Sequence, residues 1–258
     1  MKKQISLLLH AFQFYSRVPV GKIDYSEERL TQSIRYFPLV GIVVGGLGGL
    51  VFMLFNWLVS PQIAAVTALV TMVLATGALH EDGWSDFFDG FGGGYTKERI
   101  LEIMKDSRVG AYGVISLIFL FLSKYALLQH IDLLSISLNA THITLVMIAA
   151  HSSSRAVVVT LMKTSVYARG NRSKSSHSGN PISTTSYIVA LIIGIVPLIF
   201  ISVHIVLAVC ILYAAIYILL KNYIEKKIEG YTGDILGALQ QACEVAFYLI
   251  YCIIIPFI

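Results

Sequence analysis

Charge is scarce in this chain. Asp, Glu, Lys and Arg together make up 13% of 258 residues, against 56% hydrophobic residues and a mean hydropathy of +0.75. That balance excludes a monomeric globule dissolved in water. No stretch between the apolar runs is long enough to bury a core of its own, which argues against a separate soluble domain. Residues 1–258 are therefore read as one membrane-embedded domain. Cysteines are also few. Cys210, Cys243 and Cys252 lie in apolar runs without CxxC pairing, which speaks against a disulfide framework or a thiolate zinc site. A small-residue cleavage site is missing after Lys2, Lys3 and LLLHAF, and Gln13 and Arg17 interrupt the apolar stretch. Residues 4–16 are thus expected to form an interfacial helix rather than a signal peptide.

What the chain has in abundance is apolar segments long enough to cross a hydrocarbon layer, which takes roughly 20 helical residues. They fall near 38–59, 62–80, 109–129, 140–162 and 236–258. The run 187–220 is too long for one span, and Pro197 with Ser202 and His204 suggests two helices joined by a tight turn. The expected fold is all-α, a polytopic bundle of about seven transmembrane helices plus the N-terminal interfacial helix. Seventeen of the nineteen Lys and Arg lie before residue 38, in 80–108, in 163–174 or in 221–227. The alternate connections have none, a positive-inside pattern that places the N-terminus in the cytoplasm. These flanks account for the net charge of +4, so it is no argument for nucleic acid binding. The partner implied by composition is the lipid bilayer.

Against this background, HEDGWSDFFDGFGGG at 80–94 places four acids within nine residues at the end of the second apolar run. If the helix continues, about 100° per residue puts Asp86 roughly 40° and Asp89 roughly 20° from Asp82 around the axis. Three carboxylates then share one face. So much like charge near lipid calls for a cation. Hard divalent ions prefer carboxylate oxygen, and Mg²⁺ commonly keeps waters and shares its shell with substrate phosphates. Asp82, Asp86 and Asp89 are therefore the expected Mg²⁺ ligands, with Gly83 and Gly90 leaving room for a phosphate ester. Glu81 points off this face. A solvated acidic loop explains neither the i, i+4, i+7 spacing nor the interspersed Trp84, Phe87 and Phe88, and helix capping accounts for one acid rather than three.

Further along, RILEIMKDSRVGAYG sets Asp106 between Lys105 and Arg108. That alternation suits a metal-bound phosphate held by cations, with Asp106 as ligand or base, and an amphipathic interfacial helix is the alternative. Arg155, within HSSSRAVVV, is costly facing lipid and is expected to face the bundle interior and an anionic substrate. Lys124 is placed near the outer end of its span, free to snorkel, and is given no role. Arg169, Arg172 and Lys174 either bind phosphate or only obey the charge rule. In GYTGDILGA, Asp234 is a helix N-cap by default and otherwise a substrate contact.

Taken in order, FPLVGIVVG, HEDGWSDFFDGFGGG, LEIMKDSRVGAYG, SSSRA and GYTGDILGA resemble the successive motifs of the cobalamin synthase family, the adenosylcobinamide-GDP ribazoletransferases. The resemblance runs across nearly the whole chain and is strongest between His80 and Gly113. It implies a Mg²⁺-dependent membrane enzyme of late cobalamin assembly, joining adenosylcobinamide-GDP to α-ribazole or its 5′-phosphate with release of GMP. Its acidic motif is similar in logic to that of CDP-alcohol phosphotransferases. Together with the residues themselves, it implies Mg²⁺ on Asp82, Asp86 and Asp89, and phosphate oxygens held by Lys105, Arg108 and Arg155, with Asp234 as a further substrate contact. Asp106, or an aspartate of the cluster such as Asp89, would accept the proton of the attacking hydroxyl.

Two rival readings stand beside this one. An aspartate-rich membrane prenyltransferase would also hold Mg²⁺ pyrophosphate, but the chain lacks a second cluster of comparable strength. An ion-coupled transporter would carry acids deep within several spans, whereas Glu244 is alone in that position. A homo-oligomer is compatible with every one of these readings.

Overall fold

The computed structural model describes residues 2–21, 26–135, 142–169 and 182–257, and every regular element among them is a helix. The Ser-rich stretch with Arg172 and Lys174 lies outside the described residues.

Packing is organised by α3 (Phe37–Leu58) and α8 (His142–Thr164). Gly41, Gly45 and Gly49 recur every fourth residue and so form a stripe on one face of α3. A Cβ at Gly41 would lie 2.3 Å from the His151 carbonyl oxygen, and one at Gly45 would lie 2.6 Å from that of Met147. Small residues here let the two backbones approach as closely as they do, which is how apolar helices gain dispersion contact when lipid offers no hydrophobic drive. Away from α3, α8 also presents small residues to its other neighbours, with Ala149, Ala150, Ser152, Ser153 and Ser154 all buried. That leaves α8 as the central post of the bundle.

The expected continuation of the second span is corrected by the structure. Capped by Ser60, α4 (Pro61–Thr76) ends where Gly77 turns left-handed at φ 66° and Ala78 follows at φ 58°. The next helix, α5 (Leu79–Gly93), departs at 89°. Two successive left-handed residues cannot continue a right-handed helix. Carbonyls freed at the end of α4 accept from Gly77, Ala78 and Arg17, the last a 2.7 Å bond from the Arg17 N–H to Ala75. That bond fastens the end of α1 (Lys2–Tyr15) to the corner. The expected N-terminal helix is α1, with Leu7, Ala11 and Tyr15 buried while Ile5 and Phe14 are exposed.

Of the described helices, five are long and apolar enough to cross a membrane, and the bent α4–α5 pair brings the number to six. The five comprise α3 with its short leading turns including α2 (Glu27–Ser33), then α7 (Ala111–Ser135), α8, α10 (Val203–Ile228) and α11 (Gly233–Ile254). Short α9 (Thr184–Ile195) runs into a tight turn at Val196–Phe200 around Pro197 before α10 starts. The split of the 187–220 run thus falls where proline and Ser202 put it. With α9, the count agrees with about seven. The remaining helix, α6 (Lys97–Ile103), is short and lies between α5 and α7.

The placement of Lys124 is also corrected. Because α7 extends to Ser135, Lys124 falls mid-helix rather than near an end. It is 2% exposed, and its Nζ lies 2.6 Å from Glu244 of α11. His151 Nε2 is 3.2 Å from the same carboxylate. Arg155 Nη1 donates to the His151 carbonyl at 2.7 Å, and its guanidinium stands 5.4 Å over the Phe37 ring. A buried polar chain therefore runs from Lys124 of α7 through Glu244 of α11 to His151 and Arg155 of α8, ending over the Phe37 ring of α3.

Candidate active site

Helix α5 carries its acids beyond the corner at Gly77 and Ala78, and they do not share one environment. Asp82 is exposed, Asp86 half-buried and Asp89 buried. Asp89 accepts backbone N–H bonds from Gly110 at 2.7 Å and Gly113 at 2.8 Å, so each carboxylate oxygen binds the start of α7. This is anion capping of a helix N-terminus by a residue from another helix. It explains the glycines of the RVGAYG stretch. A Cβ at Gly110 would come within 2.4 Å of Asp89 Oδ1, and one at Gly113 would lie 2.3 Å from Asp89 Oδ2 and Ser85 Oγ.

What Asp82 and Asp86 face instead is the start of α11. Asp86 lies close enough to Asp234, Asp82 and Asp89 to feel their charge. Close approach of α5 to α11 depends on Gly83 and Gly237: a Cβ at Gly83 would sit 2.7 Å from the Asp234 carbonyl oxygen, and one at Gly237 would sit 3.0 Å from that of His80. The expectation that Gly83 and Gly90 leave room for substrate is corrected on this ground, since Gly83 packs on α11 and Gly90 against Met104. Nor is Asp234 the N-cap. Thr232 caps α11 by accepting from the Ile235 N–H, and its hydroxyl donates to Asp234 Oδ2 at 3.1 Å.

The cation at this acid cluster is Arg169, whose Nη2 donates to Asp234 Oδ2 at 2.8 Å. Sequence spacing left Arg169 undecided because the contact depends on pairing between two loops. Tyr231 donates its N–H to the Val166 carbonyl and Ala168 donates to that of Tyr231, both at 2.9 Å. This short parallel bridge delivers Arg169 to Asp234. Beside them opens a cavity of about 200 Å³ whose lining includes Tyr15, Phe37, Asp82, Arg169, Tyr231 and Asp234.

Other expected site residues lie elsewhere. Lys105 is exposed, and Arg108 is bound to Asp106 at 2.6 Å in the α6–α7 connection. Hydrogen bonds from the Arg108 side chain and backbone N–H hold the Asp106 carboxyl down at about 2. Arg155 faces the interior as expected, but its recorded contacts are His151 and Phe37. Glu81, turned away from the other acids, accepts from Gln241 Nε2 at 2.9 Å. Lys124, given no role on sequence grounds, is the counter-ion of Glu244.

Among the described residues, no three carboxylate, imidazole or thiol groups stand together at ligand distance. In donor chemistry alone the cluster would suit Mg²⁺, with carboxylate oxygens from Asp82, Asp86 and Asp234 and an excess of negative charge over the neighbouring cation, Arg169. An ion that keeps waters and takes phosphate oxygens does not need an all-protein cage.

Known proteins resemble the chain along almost its full length. Residues 7–252 match the family described as cobalamin-5-phosphate synthase. An adenosylcobinamide-GDP ribazoletransferase of Vibrio cholerae is 37% identical over 255 residues, covering 97% of this chain and 94% of the relative. Proteins of the same name from Shewanella amazonensis and Vibrio parahaemolyticus are also 37% identical, covering 96% of this chain and 95% and 92% of their own lengths. No solved structure matches significantly. With the ordered motifs, the paired α5 and α11 acids and this coverage together, the chain belongs to the cobalamin-5-phosphate synthase family.

Proposed function

We propose that this chain is an adenosylcobinamide-GDP ribazoletransferase, a multi-pass enzyme of the cytoplasmic membrane whose site faces the cytoplasm. The observation that carries the reading is the meeting of Asp82 and Asp86 of α5 with Asp234 at the start of α11 and with its partner Arg169, where Asp82, Arg169 and Asp234 line one cavity. Sidedness is supported by the Lys and Arg distribution.

The substrate bond to be broken is a pyrophosphate P–O bond. A ribose hydroxyl of α-ribazole, or of its 5′-phosphate, forms a new bond to the phosphorus that carries cobinamide. The bond to the GMP oxygen breaks, and GMP leaves with the electron pair. The hydroxyl proton passes to a carboxylate of the cluster. Asp82, Asp86 and Asp234 are the groups that would hold Mg²⁺, which when bound supplies Lewis-acid polarisation and neutralises phosphate charge. Arg169 orients Asp234 and presents its guanidinium to phosphate oxygens. Asp89 serves the site by fixing α5 against α7. Lys105, Arg108 and Asp106 form an outer rim for the nucleotide-bearing substrate.

The test is GMP release by purified protein supplied with adenosylcobinamide-GDP, α-ribazole and Mg²⁺. Release should require all three. GMP formed equally without α-ribazole would indicate a hydrolase, and none at all would remove the assignment.

A further inference from the structure

The cavity beside Asp82 and Asp234 has walls that phosphate chemistry leaves unexplained. Behind its charged rim it is built from aromatic and aliphatic side chains, among them Phe37, Val158, Met162 and Leu236. Phe37 packs on Tyr15 with ring centroids 4.4 Å apart and stacks on His80 at 5.8 Å and 17°. His80 also lines the cavity, and its Nε2 is buried without a hydrogen-bond partner.

Size and polarity narrow the occupant. At about 200 Å³ the space falls below the roughly 300–1,000 Å³ of clefts that enclose drug-sized ligands, so a macrocycle is excluded and one flat ring system is admitted. Aromatic faces favour a planar guest. Guanine carries donors and acceptors on several edges, and burying them against Phe37, Val158, Met162 and Leu236 leaves them unpaired at high cost. A bicyclic ring with few polar atoms in its plane suits an apolar and aromatic wall.

We propose that this cavity is the subsite for the base of the acceptor nucleoside, a bicyclic heteroaromatic ring of benzimidazole type, with its sugar directed to the rim at Asp82 and Asp234. The assignment rests on the transferase reading above and adds to it which of the two substrates enters here, and by which end.

Full-length protein in detergent or nanodiscs, with GMP release as readout, tests it. Free benzimidazole, lacking sugar and phosphate, should inhibit competitively against α-ribazole and not against adenosylcobinamide-GDP. Leu236→Trp, which fills the cavity from α11, should raise KM for α-ribazole roughly tenfold or more and weaken benzimidazole inhibition in step, with KM for adenosylcobinamide-GDP kept within about twofold. If benzimidazole competes with adenosylcobinamide-GDP, or the variant raises KM for that substrate instead, the guanosine end occupies the cavity and the proposal fails. Inhibition unaltered by the variant equally overturns it. Should Leu236→Trp not yield folded protein, Met162→Phe adds bulk from α8 and is judged by the same outcomes. A wild-type protein that releases no GMP removes the transferase reading on its own. Calorimetry with benzimidazole then still decides the cavity: binding lost in the filled variant supports an aromatic-base site, while equal or absent binding sinks it.

Discussion

Lys124 and Glu244 form an ion pair at 2.6 Å within the bundle, on helices α7 and α11, and both side chains are almost wholly removed from solvent. Removing one partner strands the other in a low-dielectric interior. Lys124→Met or Glu244→Gln should each destabilise the protein by about 3–5 kcal/mol. The double variant should lose much less than the sum of the singles, because neither charge is then left alone. Thermal unfolding in detergent measures this, and strictly additive losses would show the pair to be uncoupled.

At the candidate site, the acids divide into two groups. Asp82→Asn, Asp86→Asn and Asp234→Asn should each lower GMP release by roughly a hundredfold or more with little change in melting temperature, since each removes charge aimed at substrate or ion. Asp89→Asn should instead lower stability and activity together, because an amide nitrogen would face the Gly110 or Gly113 N–H, donor against donor. An Asp89→Asn protein of normal stability but no activity would move Asp89 into the chemistry.

Adjacent glycines of α3 make a matched pair. Gly45 lies against the α8 backbone, whereas a Cβ at Gly46 would meet only the Ile148 side chain at 3.8 Å. Gly45→Ala should therefore cost about 1–3 kcal/mol through forced separation of the helices, and Gly46→Ala should be neutral or stabilising by about 0.5–1 kcal/mol. Equal melting temperatures for the two variants would contradict the close α3–α8 contact.

Asp106 offers a pH test. Its carboxyl is held at about 2 by Arg108, below the ordinary value of 3.8. The stabilisation from this pair is thus present above the ordinary value and is lost as pH falls through the lower one. Between about pH 5 and 9 the group stays ionised, so the ratio of wild-type to Asp106→Asn activity should be flat there. A ratio that changes near neutrality would mean that Asp106 exchanges its proton in the working range and acts as the base.

Much of this was legible in local pattern. Apolar run length found the crossing helices, Pro197 marked the α9–α10 division, and the spacing of Asp82 and Asp86 marked α5 as a charged face. The corner at Gly77 and Ala78 was not legible, because alanine favours a right-handed helix and tertiary contacts with Arg17 hold it otherwise. Contacts between distant segments were equally hidden. Lys124 meets Glu244 across 120 positions, and Arg169 reaches Asp234 only through the Tyr167–Tyr231 bridge. Asp89 shows the limit of helical arithmetic, which places a carboxylate around an axis without saying which neighbouring helix needs an anion.

The 89° corner between α4 and α5 also bears on where catalysis takes place. The corner turns a charged helix across the end of an apolar one, which on the proposed reading would set the acids at the boundary of the hydrocarbon. Reaction would then be confined to a surface. Both substrates of the proposed transfer would have to arrive at one plane, and throughput would scale with the density of protein in that plane rather than with its concentration in a volume.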